Sequence, residues 1–332
     1  MKRRTIILVS AVPLVLLVGE GLMSKEIGIL PFTSQGPIGN RFNVGALTRD
    51  AAKSCGQCHM NQHRGVTVTV KPTTRTVLAG QTTAITISGT STVNPTQSTG
   101  GFTADVTSGT LIPGTSTRID TAGKAITHRG RRNRSWTFNW KAPTAPGLTE
   151  LYTVVNCTNN DQPVALRVGD SWGFHGASTN AVKSTPVRLY TNAATGVKPT
   201  GESCPDGFGN YSVLGAKTVP TRGATLILEA FGMAPSAPML IMFSIGGNVP
   251  PFDLKSLGAP GCLVRTAIQI EAVVATGGGN ASRGEGSFTL PIPIPANTPK
   301  GLVFAAQFGF IDTNSKRAFP FTVTNGVECT VQ

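Results

Sequence analysis

The sequence predicts an all-β chain: two antiparallel β-sandwich domains preceded by an irregular arm. Charged residues are only 14% of the chain, against 39 glycines and 23 prolines. That composition is rich in turns and poor in the residues that surface helices use. Apolar side chains recur at every second position in short runs, and Gly, Pro or Asn breaks each run. This is the period of half-buried strands joined by tight turns.

The elements follow in order. Met1-Lys2-Arg3-Arg4, the apolar run Thr5 to Val18 and Gly19-Glu20-Gly21 make residues 1–24 a secretory signal or a retained N-terminal anchor. Residues 25–64 form an extended arm, irregular through Gly28, Gly36-Pro37, Gly39 and Gly45. The first sandwich covers 65–195. Val66, Val68 and Val70 share one face, and Ile85 and Ile87 repeat the pattern after the Ala79-Gly80 turn. Then come Gly101 to Val106, the Trp136, Phe138, Trp140 triplet at period two, Leu151 to Cys157, and Thr185 to Thr191. A seam between Asn192 and Cys204 interrupts the series. The second sandwich, 196–332, has strands at Ala224–Phe231, Met239–Ile245, Val264–Val274, Gly286–Ile294, Leu302–Ile311 and Phe319–Val323. Pro291, Pro293 and Pro295 place one of them at a sheet edge, because proline cannot donate to a ladder.

Export sets the compartment as periplasm, cell surface or medium, and no second stretch approaches the roughly 20 apolar residues of a membrane helix. An oxidising space favours disulfides. Among Cys157, Cys204, Cys262 and Cys329, the pair Cys204–Cys262 is favoured because both lie in the second domain, which leaves Cys157 with Cys329 by default. The net charge of +13 is spread out, with one dense cluster at Arg129, Arg131, Arg132 and Arg134. A solvated basic loop is its plain reading; contact with carboxylates is the sharper one. Export and an aromatic content of 6% disfavour nucleic acid.

Cys55-Gly56-Gln57-Cys58-His59 is the pattern through which c-type haem is attached: two thioethers, with the adjacent imidazole under the iron. The expected cofactor is therefore one covalent haem c held by Cys55, Cys58 and His59. Zinc is the weaker choice, since a closed site wants four ligands. A hydrolase lacks both a Gly-x-Ser-x-Gly elbow and a His-Glu-x-x-His helix.

From Ser54 to Gly176 the chain resembles the reeler-like, choice-of-anchor V domains of bacterial surface proteins. The residues that carry the resemblance are Ser54-Cys55 through His59, the Gly80 turn, Gly101-Phe102, Ile126-Thr127-His128, Trp136-x-Phe138-x-Trp140-Lys141-Ala142-Pro143, Leu151-Tyr152 and Gly169-Asp170. The resemblance implies an exported β-sandwich with the Cys-x-x-Cys-His segment at its front edge. It says little about mechanism, and the carboxy-terminal sorting segment of many members has no counterpart here.

A haem iron has a second face. His63 would have to loop around the haem edge, and His175 is a further candidate. His128, shortly before the tryptophan strand and at the family's Ile-Thr-His position, is preferred. Met233, Met239 and Met242 are assigned to core packing, as are Trp136 and Trp140. Two histidines saturate the iron, so the expected function is single-electron transfer outside the cytoplasm, to a redox partner or to further copies of the chain. The alternative is a non-redox surface module for structure or adhesion, with Cys55 and Cys58 joined as a disulfide.

Overall fold

The structure, a computed structural model, describes residues 65–332 apart from 94, 120–122, 131, 159–169 and 177–183. The signal segment and the arm lie outside the described residues. The chain is all-β. The first half runs through β1 (Val66–Pro72), β2 (Thr76–Leu78), β3 (Thr82–Ser91), β4 (Gly100–Val106), β5 (Thr110–Ile112) and β6 (Thr117–Ile119). It continues with β7 (Ala125–His128), β8 (Ser135–Lys141), β9 (Gly147–Cys157), β10 (Ser171–Phe174) and β11 (Val187–Asn192).

These strands make two facing sheets. One has four strands in the order β1-β3-β8-β5; the other has seven, in the order β2-β11-β9-β4-β7-β6 with β10 also on β9. Period-two patterning builds the core between them. β1 turns Val68 and Val70 inward and Thr67, Thr69 and Lys71 to the outer face, and β8 buries Trp136, Phe138 and Trp140 while Thr137 and Asn139 stay exposed. Opposite them pack Phe102, Ile126, Leu151, Val155 and Leu189. Phe102 meets Trp136 with ring centroids 4.8 Å apart. Each large apolar side chain buried this way contributes about 1.5–3 kcal/mol.

The second half carries β12 (Val197–Thr200), β13 (Val213–Ala216), β14 (Thr225–Met233), β15 (Pro238–Ile245), β16 (Phe252–Asp253) and β17 (Leu263–Val264). After these come β18 (Ile270–Ala275), β19 (Gly286–Pro293), β20 (Val303–Ile311), β21 (Phe321–Val323) and β22 (Gly326–Thr330). A sheet ordered β12-β22-β20-β15-β18, with β21 on β20, faces the three-stranded sheet β13-β14-β19. Leu214, Leu226, Leu228, Met239, Ile241 and Phe308 fill the space between. β19 is an edge strand, as its prolines require: Pro291 and Pro293 pair in register with Ile227 and Thr225 on one side only.

The strands differ from the sequence expectation at several places, and the short strands β2, β5, β6, β7, β10 and β16 add to the expected set. β12 lies inside the stretch read as a seam and pairs with β22. β13 and β22 were missed because each is short and interrupted by small or polar residues. The run expected from Val264 to Val274 is two elements, β17 and β18, separated by five residues that belong to neither.

Cys204 and Cys262 form the disulfide expected of them. It sits in a small apolar cluster with Met242, Leu254 and Val323. The default pairing of Cys157 with Cys329 is corrected: both are free, buried thiols. Cys157 ends β9 in the first core and Cys329 lies on β22 in the second, so each is committed to a different apolar interior.

Candidate functional site

Haem c was the cofactor expected from the sequence, and that expectation is corrected. Cys55, Cys58 and His59 lie outside the described residues. Among the described residues no group of three His, Cys, Asp or Glu side chains is placed to hold a metal. His128, assigned to the far side of the iron, is at the end of β7 and is 7% exposed. Its Nδ1 accepts the Phe102 N–H at 3.1 Å. Its ring lies so closely on Gly101 that a Cβ there would come within 2.3 Å of Cε1. Burial holds its pKa down at about 4, with the charge of Arg118 acting the same way. A ring sealed by the sheet in this manner presents no face to a porphyrin.

The other sequence candidates are similarly absorbed by the fold. His175 is bridged through its backbone to Val68, and its Nδ1 donates to the Thr185 carbonyl at 2.9 Å. Arg134 of the basic cluster is a backbone clamp: Nε donates to Thr99 O at 2.9 Å and Nη2 to Thr158 O at 3.1 Å. Arg131 is outside the described residues. Trp136, Trp140, Met233, Met239 and Met242 are core residues.

The candidate site is instead at the junction of the two sandwiches, where the described residues leave a groove of about 1440 Å³ along the length of β1. One wall is β1. The other is the loop 206–211 together with the turn 280–285. Arg75, just after β1, ties the walls together. Its N–H donates to Glu202 Oε1 at 3.1 Å, its guanidinium lies 3.6 Å from Glu202 Oε2, and the same group stacks 4.0 Å over the Tyr211 ring.

The loop that forms the second wall is braced at both ends. Asp206 Oδ1 accepts the N–H groups of Phe208 and Asn210 at 2.9 and 2.8 Å, and its Oδ2 accepts Asn210 Nδ2 at 2.9 Å. The Gly207 N–H donates to Asp312 Oδ2. Glycine is required at 207, since a Cβ would sit 2.3 Å from the Asn314 carbonyl oxygen. Burial raises the pKa of Asp206, and nearby Asp312 raises it further; the hydrogen bonds from Asn210 and Phe208 oppose both. Upstream, Arg317 Nη2 holds the Pro205 carbonyl at 2.7 Å, next to the disulfide. At the tip of this rigid loop Phe208 is 46% exposed at the rim of the groove. Its ring packs in neither hydrophobic core.

Sequence reasoning missed this site. The signal was present in Asp206-Gly207-Phe208-Gly209-Asn210, where a lone aromatic stands between glycines in a turn that needs no apolar residue.

No protein-family model matches the chain, and no curated protein matches it. Solved structures similar in strand layout include the Yersinia pseudotuberculosis adhesin InvE, at 13% identity, covering 81% of this chain and 60% of that one, with a TM-score of 0.21. The Escherichia coli adhesin FdeC is 15% identical, with 80% and 64% covered and a TM-score of 0.19. Escherichia coli α-2-macroglobulin is 10% identical over 80% of this chain and 15% of its own, with a TM-score of 0.23. Likeness at this level follows from strand-rich architecture and carries no functional argument.

Proposed function

We propose that the chain is a non-redox, extracytoplasmic module that works by surface recognition, with Cys55 and Cys58 joined in a small disulfide. The observation that carries the reading is the junction groove with Phe208 held out at its rim by two buried carboxylates. The Cys204–Cys262 bond supports the location, since structural disulfides belong to oxidising compartments. The resemblance of residues 54–176 to choice-of-anchor V surface domains points the same way. On this reading the partner is another surface molecule, and the free thiols Cys157 and Cys329 serve as buried apolar residues.

The test is the intact mass and absorption spectrum of the full chain, exported by a host with haem-maturation machinery. The expected product is colourless, with two disulfides, Cys204–Cys262 and Cys55–Cys58. A mass increased by one porphyrin and a haem band that survives denaturation would overturn the reading.

A further inference from the structure

We infer that the junction groove is a binding site for a neutral oligosaccharide chain. The inference rests on the surface-recognition reading above and names its ligand class.

The first constraint is charge. The acids in the walls are matched within the groove: Glu202 by Arg75 at 3.6 Å, and Glu285 by Arg283 Nη1 at 2.8 Å. Lys71 is the one charged residue on β1. With Lys71 the one lining lysine or arginine outside these two pairs, the walls give a polyanion or polycation little to pair with, and desolvating the matched pairs around a charged ligand is costly.

The second constraint is the backbone of β1. An edge strand beside a groove ordinarily invites an extended peptide, but this edge is nearly closed. The Thr73 N–H donates to Ala84 O at 2.8 Å, on the β3 side. Antiparallel alternation therefore points the backbone N–H and C=O groups of Thr69 and Lys71 toward β3, and the backbone groups of Val66, Val68, Val70 and Pro72 away from it, toward the open edge. Gly173 lies against the Val66 carbonyl. Val68 is bridged to His175, and Pro72 has no N–H. Among the described residues, Val70 alone presents a complete outward donor and acceptor pair. One such pair does not hold an added strand.

What remains is a long surface of hydroxyls and amides around an aromatic ring. Thr67 and Thr69 are exposed on one wall, and Asn280 and Ser282 on the other. Phe208 stands at the rim. Sugars have the matching chemistry: hydroxyls in every direction for these donors and acceptors, and an apolar C–H face that covers an aromatic ring. The groove, about 1440 Å³, has room for several linked rings along β1.

The experiment applies the full-length exported protein to a printed array of neutral and anionic oligosaccharides and to a peptide array, then measures affinity for the strongest binder by calorimetry. Neutral glycans are expected to bind. Phe208→Ala should weaken them about tenfold, the value of one good aromatic contact. Thr69→Arg, a groove-filling change at an exposed position, should do the same by steric exclusion. Phe252→Ala, at an exposed ring outside the groove, should leave affinity unchanged. Binding confined to anionic glycans, capture of peptides in place of sugars, binding indifferent to both groove variants, or no binding on either array would each overturn the inference. None of those results alters the porphyrin-free mass that tests the surface-module reading, so the two fail separately.

Discussion

Tyr190 on β11 donates its hydroxyl to Glu229 Oε2 on β14 at 2.9 Å, and this bond crosses the junction between the two sandwiches. Glu229 Oε1 is held by Lys217 Nζ, also at 2.9 Å. The Tyr190 ring lies over Gly215, where a Cβ would meet its Cδ1 at 2.0 Å, and packs beside Phe231 with centroids 6.3 Å apart. Burial and the adjacent carboxylate both push the phenol pKa up, so it stays a donor throughout the working pH range. Tyr190→Phe removes one hydrogen bond to a charged, largely buried acceptor and should cost about 1.5–3 kcal/mol in urea unfolding. Gly215→Ala drives a methyl into the ring and should cost about as much through steric strain. Both variants should separate one cooperative urea transition into two, since they loosen the contact that couples the sandwiches.

The buried histidines predict a pH dependence. A histidine with a folded pKa of about 4, against about 6.5 unfolded, binds its proton more readily in the unfolded chain. Its contribution is complete above pH 6.5 and is lost as the pH falls toward 4. For His128 alone the difference is on the order of 3 kcal/mol. Burial lowers the pKa of His175 as well, so it adds with the same sign. Asp206 opposes them, because its raised pKa favours the protonated form in the fold. Stability should therefore decline between pH 6.5 and 4.5, and His128→Asn should flatten that decline by about half while keeping an acceptor for the Phe102 N–H. A variant with an unchanged slope would show that the ring is not the titrating group.

How much of this was legible depends on the distance over which each feature is made. The Trp136, Phe138, Trp140 face follows from a period of two within one strand. The β19 edge follows from Pro291 and Pro293 themselves, since a missing N–H is a local property. Cys204–Cys262 could be anticipated because both thiols belong to one half of the chain. Cys157–Cys329 failed where the same reasoning ran out, for chain order does not report that each thiol faces a separate interior. His128 failed for a related reason. Its neighbours in sequence are compatible with a turn, and only the packing of Gly101 against its ring reveals a sealed side chain. The groove is least legible of all, because β1 and the loop at Asp206 are far apart in sequence and are tied together through Arg75, Glu202 and Tyr211.

The cysteines should divide cleanly under alkylation. Burial raises the thiol pKa to about 11 at Cys157 and about 12 at Cys329, and both side chains are buried. In native protein at pH 8, iodoacetamide should leave both unlabelled, and denaturant should expose both to reaction. Reducing Cys204–Cys262 frees a loop with a sequence separation of 58 residues. Chain-entropy arguments put the loss at about 4 kcal/mol, read as a lower urea midpoint. Native labelling of Cys157 or Cys329 would contradict the two-core arrangement.

The last prediction concerns the brace beneath Phe208. Asp312 accepts the Gly207 N–H at one oxygen and the Asn314 N–H, at 3.0 Å, at the other. Asp312 is buried, but the two donors it holds belong to Gly207 and Asn314, both exposed residues, so Asp312→Ala leaves N–H groups that water can partly satisfy. The cost should be about 0.5–1.5 kcal/mol per lost hydrogen bond, since solvent can replace the carboxylate in part. The opening of the loop is the informative part. Amide exchange at Gly207, Phe208 and Asn210 should accelerate by one to two orders of magnitude while the strands β14 and β20 stay protected. Phe208 would then sample many orientations, and any partner that uses its ring would have to order it again on binding. Fast exchange confined to 207–210 identifies the Asp206 and Asp312 carboxylates as the device that presents the ring; exchange spread across the second sandwich would make them ordinary supports of the core.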